Sequence, residues 1–161
     1  MSTIEIFVPI DIVATVARDA MLELMPKIEK GAHPYEGLYL SVAILDANIS
    51  VPIHAQVESR PFRWECGLDL TASNKAGIFP KFHGSISITP STNSTCELWL
   101  QGAYDPPMGA AGAVLDATVL HGTALQSLQT FLEWLAKEIQ TCALEAEKRH
   151  ANQALARHSG S

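Results

Sequence analysis

Apolar and polar positions follow two different periods along this chain. Ile4 to Val8, "IEIFV", opens with alternation and predicts a strand. Asp11 then stands as an N-cap for a run carrying Ile12, Val13, Val16, Ala17, Ala20 and Leu24 at helical spacing, which Pro26 and "KGAHP" are expected to end. "LYLSVAIL", the turn "DAN" and "ISVPIHAQV" read as a hairpin, with Pro52 marking an edge or a bulge. Three more strands are predicted over Arg63 to Thr71, Phe82 to Thr89 and Cys96 to Tyr104, joined by the turn-rich links "ASNKAGIFPK" and "PSTNST". From about Ala113 the period becomes helical. His121, Ala124, Leu128, Phe131, Leu135, Ile139 and Cys142 fall on one stripe, widened by Leu125 and Leu132. The order is strand, helix, about five antiparallel strands, long helix. One helix stripe must bury itself against one sheet face, so the fold class is a two-layer α+β domain.

Alternation also sorts the strand faces. Cys96, Leu98, Leu100, Gly102 and Tyr104 share a face, as do Phe82, Gly84, Ile86 and Ile88, and Trp64, Cys66, Leu68 and Leu70. In the hairpin the same face carries Ile49, Val51, Ile53, Ala55 and Val57. These faces are expected to look at the long helix. The opposite faces hold His54, Gln56, Arg63, Glu65, Asp69, His83, Glu97 and Gln101, so most of the titratable strand residues point to solvent. That placement argues against acid–base chemistry on the sheet. Ala55, Cys66, Gly84 and Gly102 on the inner face, with Ala117 and Ala124 on the helix, fit either close helix–sheet packing or a hollow apolar space.

The bulk numbers narrow the function classes. A chain of 161 residues, 47% apolar and 17% charged, is one soluble globular domain with a real core. A net charge of −6 disfavours a nucleic-acid partner. No apolar run suits membrane insertion, and the N-terminus carries Glu5 and Asp11 without a basic leader, so a cytoplasmic protein is expected. Cys66, Cys96 and Cys142 form an odd set without CxxC spacing, and no histidine pair has the spacing of a metal site; neither a metal nor another cofactor is expected. No Ser-His-Asp order, phosphate loop or carboxylate pair stands out. The polar run "EAEKRHANQALARHSGS" reads as a solvated, fraying helical end, which divides the chain into a domain over 1–143 and a tail over 144–161.

The stretch "QGAYDPPMGAAGAVLD" joins the last strand to the long helix. Pro106 and Pro107 cannot donate ladder hydrogen bonds, and Gly109 and Gly112 let the backbone turn into the helix. From its residues alone this elbow is a stiff connector at one open end of the sheet. Taken with "FPKFHGSISITP" and "FLEWLAKEI", it resembles the START-related SRPBCC superfamily of lipid-transfer proteins, pollen-allergen relatives and polyketide cyclases. The order of elements from Ile4 to about Ile139 is similar too. The resemblance implies a helix-grip fold, in which a curved antiparallel sheet grips a long C-terminal helix around an apolar cavity. It favours a pocket over packing for the small inward residues and places the elbow at its mouth. Catalytic members carry polar acid–base residues inside the cavity, and this chain offers few on its inward faces.

The candidate ligand-binding residues are therefore His121, Tyr104, Trp64, Leu98, Leu100, Gly102, Phe82, Met108, Ala124 and Leu128. His121 is the sharpest: a polar head on an apolar stripe can orient a ligand oxygen or act as a base, or it is a core histidine satisfied by a carbonyl or water. Tyr104 adds a phenol at the mouth. Asp116 suits the helix dipole, and Cys66 and Cys96 suit the core. The leading expectation is binding of an apolar small molecule such as a lipid or polyketide. The alternatives are a cyclase- or dehydratase-type enzyme and a partner-binding regulator. Whether the chain forms a homo-oligomer is left open.

Overall fold

The computed structural model describes residues 2–29, 39–44, 47–60, 65–72, 81–105 and 117–160. Its elements run β1 (Ser2–Ile10), α1 (Ala14–Glu29), β2 (Tyr39–Ile44), β3 (Ala47–Arg60), β4 (Glu65–Ala72), β5 (Lys81–Pro90), β6 (Cys96–Asp105) and α2 (Ala117–Ser159). The six strands form one antiparallel sheet in the order β1-β6-β5-β4-β3-β2. This is the predicted α+β arrangement, with the sheet gripping α2.

Strand β3 changes partner along its length. Ala47 to Pro52 pair with β2, and Ile53 to Arg60 pair with β4. Pro52 stands at the handover, where a residue without an N–H interrupts a ladder least. The hairpin turn lies earlier than "DAN" suggests, because Ile44 pairs with Ala47 and only two residues separate them. The β5–β6 link closes with backbone bonds from Ser91 and Thr92 N–H to Thr95 O at 3.1 and 3.2 Å, and Thr92 Oγ1 accepts from the Thr95 N–H at 3.0 Å.

Two expectations for α1 are corrected. Val13, not Asp11, is the N-cap, since its carbonyl accepts the first helical bond from the Ala17 N–H at 3.0 Å. Pro26 lies inside the helix, which continues to Glu29. Pro26 is exposed and one turn from the end, so the hydrogen bond it forfeits is a terminal one. The buried stripe is also rotated from the expected one. Ala17, Ala20, Met21, Leu24 and Met25 are buried, whereas Val13 and Val16 are exposed.

Helix α2 buries Leu128, Phe131, Leu132, Leu135, Ala136, Ile139 and Ala143, which confirms the stripe from Leu128 onward. Each fully buried Leu or Ile here contributes roughly 1.5–3 kcal/mol. At 43 residues the helix is about 64 Å long, about twice the roughly 33 Å of a ten-residue strand. It outruns the sheet, and residues 151–160 are all exposed. Its C-terminal half meets α1, where the Cys142 thiol points at the Ala20 carbonyl and Arg149 lies 3.4 Å from Glu23 Oε1. No described helix is long and apolar enough to cross a membrane.

Candidate functional site

Cross-strand register assembles the inner sheet face row by row. Tyr104 lies opposite Phe82; Gly102 lies between Ile4 and Gly84, with Leu68 next; Leu100 pairs with Ile86, which pairs with Cys66; Leu98 pairs with Ile88. Every one of these side chains is buried, and Leu98, Leu100, Ile86 and Cys66 are completely so. The backbone of α2 lies nearest to the two edge strands, β1 and β2. It therefore spans the sheet from edge to edge, and the middle strands face it across their side chains. The chain enters α2 from the Tyr104 end. It meets α1 at its far half, and α1 leaves from the end where Ile10 pairs with Cys96.

Of the predicted site residues, Tyr104, Phe82, Leu98, Leu100, Gly102 and Leu128 fall among the described side chains, all on the inner side. Tyr104, Phe82 and Gly102 come together at the elbow end. The Phe82 ring occupies the room beside Gly102 and Gly84, where an added Cβ would approach Cζ to 2.8 and 2.7 Å. Trp64 and Met108 lie outside the described residues. His121 and Ala124 belong to α2, but their side chains also lie outside. Ile4 was missed as a member of this patch; its place in the alternating "IEIFV" was the available signal.

Polar chemistry is segregated. Outside, Glu5 accepts from Gln101 Nε2 at 3.2 Å, Glu97 accepts from Trp99 Nε1 at 2.9 Å, and His83 pairs with Asp69. No described Asp, Glu, His, Lys or Arg lies on the inner face. Its ionisable groups are the Tyr104 phenol and the Cys66 and Cys96 thiols. Burial pushes the Cys96 thiol up, and Glu97 adds to the shift, so this sulfur stays a protonated core group. Among the described residues no group of side chains could hold a metal ion, and no buried side-chain polar atom lacks a partner.

A separate groove of about 460 Å³ runs between α1 and α2, with Ala20, Cys142, Ala143 and Ala146 as its floor. On its rim Glu23 is paired with Arg149 and Lys27, and Asp19 with Arg18, and Glu147 and His150 line it as well.

No family model matches the chain, and no curated protein matches it. Solved structures do. The Zhui aromatase/cyclase from Streptomyces sp. R1128 superposes with a TM-score of 0.58 at 11% identity, over 86% of this chain and 93% of that one. Ara h 8.0201 gives 0.52 at 11%, over 89% and 98%. Norcoclaurine synthase from Thalictrum flavum, in complex with dopamine and hydroxybenzaldehyde, gives 0.53 at 8%, over 89% and 87%. Identities this low speak to architecture alone, and the architecture agrees with the sheet order, the edge-to-edge helix and the inner apolar face: the chain has the START-related, SRPBCC-type helix-grip fold.

Proposed function

We propose that the chain binds an apolar small molecule carrying an oxygen group, between the inner sheet face and α2, without turning it over. One observation carries this reading. The described ionisable strand side chains other than Tyr104 and the two thiols lie on the outer face, which leaves the inner face apolar with one phenol at the elbow end. Tyr104, Phe82, Leu98, Leu100, Gly102 and Leu128 form part of the wall. Trp64, Met108 and Ala124 extend it, and His121 supplies the main polar contact, since a neutral imidazole both donates and accepts. The ligand is a lipid, a polyketide or a similar compound, and the norcoclaurine synthase structure, which holds two small aromatic compounds, supports small-molecule binding by this fold. An acidic chain with three free thiols suits the cytoplasm.

Native mass spectrometry of the purified protein tests the reading directly, followed by titration with 1-anilinonaphthalene-8-sulfonate and competition by fatty acids and polyketides. A co-purifying apolar adduct, or competition by one class, is the expected result. Failure of the whole panel to bind overturns it. A cyclase- or dehydratase-type enzyme is the second reading, favoured by the burial of the Tyr104 phenol and by the stripe position of His121. It predicts that the bound compound changes mass on incubation with the protein.

A further inference from the structure

Strand β1 stands at one edge of the sheet, and hydrogen-bond parity fixes which of its main-chain groups face outward. The Ser91 N–H bonds the Thr95 carbonyl across the β5–β6 turn. Bonded positions recur at every second residue of an antiparallel pair, so Glu97, Trp99 and Gln101 turn their main-chain groups to β5. Leu98, Leu100 and Gly102 turn theirs to β1, where they meet Val8, Ile6 and Ile4. Thr3, Glu5, Phe7 and Pro9 are left with main-chain groups that point away from the sheet. Pro9 agrees with this parity, because a residue without an N–H fits an edge strand on its open side. All four are exposed, and among the described residues no strand pairs with this edge.

The side chains of β1 are incompletely covered on both faces. Outside, Phe7 stacks on Trp99 with centroids 4.8 Å apart, which is the spacing of neighbouring strands, yet it remains 47% exposed. Inside, Ile6 and Val8 are only half-buried, although they lie between Ile4 and Ile10, each 1% exposed.

We propose that a second copy of this chain completes the edge, its β1 lying antiparallel to this one about a two-fold axis through Phe7. Parity permits few registers. An axis through Glu5 would set two carboxylates directly opposite, which is repulsive, and an axis through Ile6 would keep them as diagonal neighbours. The axis through Phe7 parts them. It pairs Phe7 with Phe7, Glu5 with Pro9 and Ile6 with Val8. The two Phe7 residues exchange both main-chain bonds, and each Glu5 N–H reaches the second copy's Pro9 carbonyl. Outside, the Phe7–Trp99 stack continues at strand spacing into a row of both copies' rings. Inside, the half-buried Ile6 and Val8 of the two copies cover each other. The contact is isologous and closes after two chains. One edge ladder buries less than the roughly 1,200 Å² at which stable interfaces begin, so the dimer is a weak one.

Sedimentation velocity on the full chain, from about 10 µM to about 1 mM, tests this by protomer mass action. The expected result is a rise from the 17.4 kDa chain mass toward twice that value. Phe7→Pro removes the central donor on the open side and spares the β6 ladder, as Pro9 does; it is expected to keep the chain monomeric. Phe7→Ser keeps the donor and loses the ring, and is expected to raise the dissociation constant at least about threefold. Amide exchange followed by NMR reads the ladder in the unaltered protein. The Glu5 and Phe7 amides are expected to gain protection as concentration rises, while those of Ile6 and Val8, bonded to β6, are protected throughout. A chain that stays monomeric at about 1 mM overturns the proposal. So does a dimer that survives Phe7→Pro or leaves the Phe7 amide unprotected, since it would have formed through another face. Thermal unfolding checks the fold of each variant, and if Phe7→Pro does not fold, the amide exchange decides.

Discussion

The ring of Phe82 covers Gly102. A Cβ on Gly102 would come within 2.8 Å of Phe82 Cζ and 2.6 Å of Gly84 Cα, and would also strike the His83 carbonyl. The two glycines face each other across β5 and β6, and one aromatic ring fills the room that both leave. An inner-face glycine is thus not in itself open space.

Gly102→Ala is therefore expected to destabilise the fold by about 1–3 kcal/mol, because backbone as well as ring must move. Gly102→Leu is expected to cost more, through strain rather than by filling a cavity. Urea denaturation measures both. An alanine variant as stable as wild type would show that the strands part easily at this row.

His121→Phe keeps a ring and removes both nitrogens. If His121 orients the ligand, affinity falls by about 0.5–1.5 kcal/mol, the worth of one neutral hydrogen bond. Calorimetric titration with the ligand found by mass spectrometry reads this. Unchanged affinity would make His121 a core residue. A drop in turnover by roughly 10²–10⁴ without loss of binding would make it a general base and the chain an enzyme.

Truncation distinguishes two parts of α2. Beyond Ala143 the helix still touches α1, through half-buried Ala146 and the Arg149–Glu23 pair. Ending the chain after Ala143 is expected to lower the melting temperature by a few degrees. Arg149→Ala alone should cost no more than about 0.2–1 kcal/mol, as an exposed pair does. Ending it after His150 should leave the melting temperature of dilute protein unchanged.

Thiol chemistry should single out Cys142. Cys66 and Cys96 are completely buried, while Cys142 is half-buried beside the groove. Burial, with Glu23 next, raises the Cys142 thiol above its ordinary 9.0. A disulfide reagent is expected to label this one cysteine in the native protein, slowly at neutral pH and faster as pH rises past the ordinary thiol range. The raised thiols imply a sign for stability as well. Well below the unfolded value of 9.0, at neutral pH and lower, both states hold the proton and these thiols add no pH effect. As pH climbs from the unfolded value of 9.0 toward the higher folded one, the unfolded chain loses its proton first and stability falls. Rapid labelling of all three cysteines at neutral pH would contradict the packing described.

Much of this architecture was decided by the sequence alone, wherever one face of an element had to be buried. The alternation of Phe82, Ile86 and Ile88 against His83, Ser85 and Ser87 admits one orientation, because a slip of one residue would expose every apolar side chain. The period of Leu128, Leu132, Leu135 and Ile139 likewise sets the buried side of α2. Tertiary structure decided what that local logic leaves degenerate. The alternation in β1 is compatible with any neighbour, and its place beside β6 is a long-range pairing. α1 runs through Pro26 and turns Val16 outward because it packs on α2 as well as on the sheet, which draws Met21 and Met25 inward. The sequence marks Gly84 and Gly102 only as missing side chains, and the ring that fills their space comes from Phe82, two residues along the strand from Gly84 and across the ladder from Gly102's strand. The helical period runs on past the domain in the sequence, but only the finished sheet shows how far a 43-residue helix outruns it.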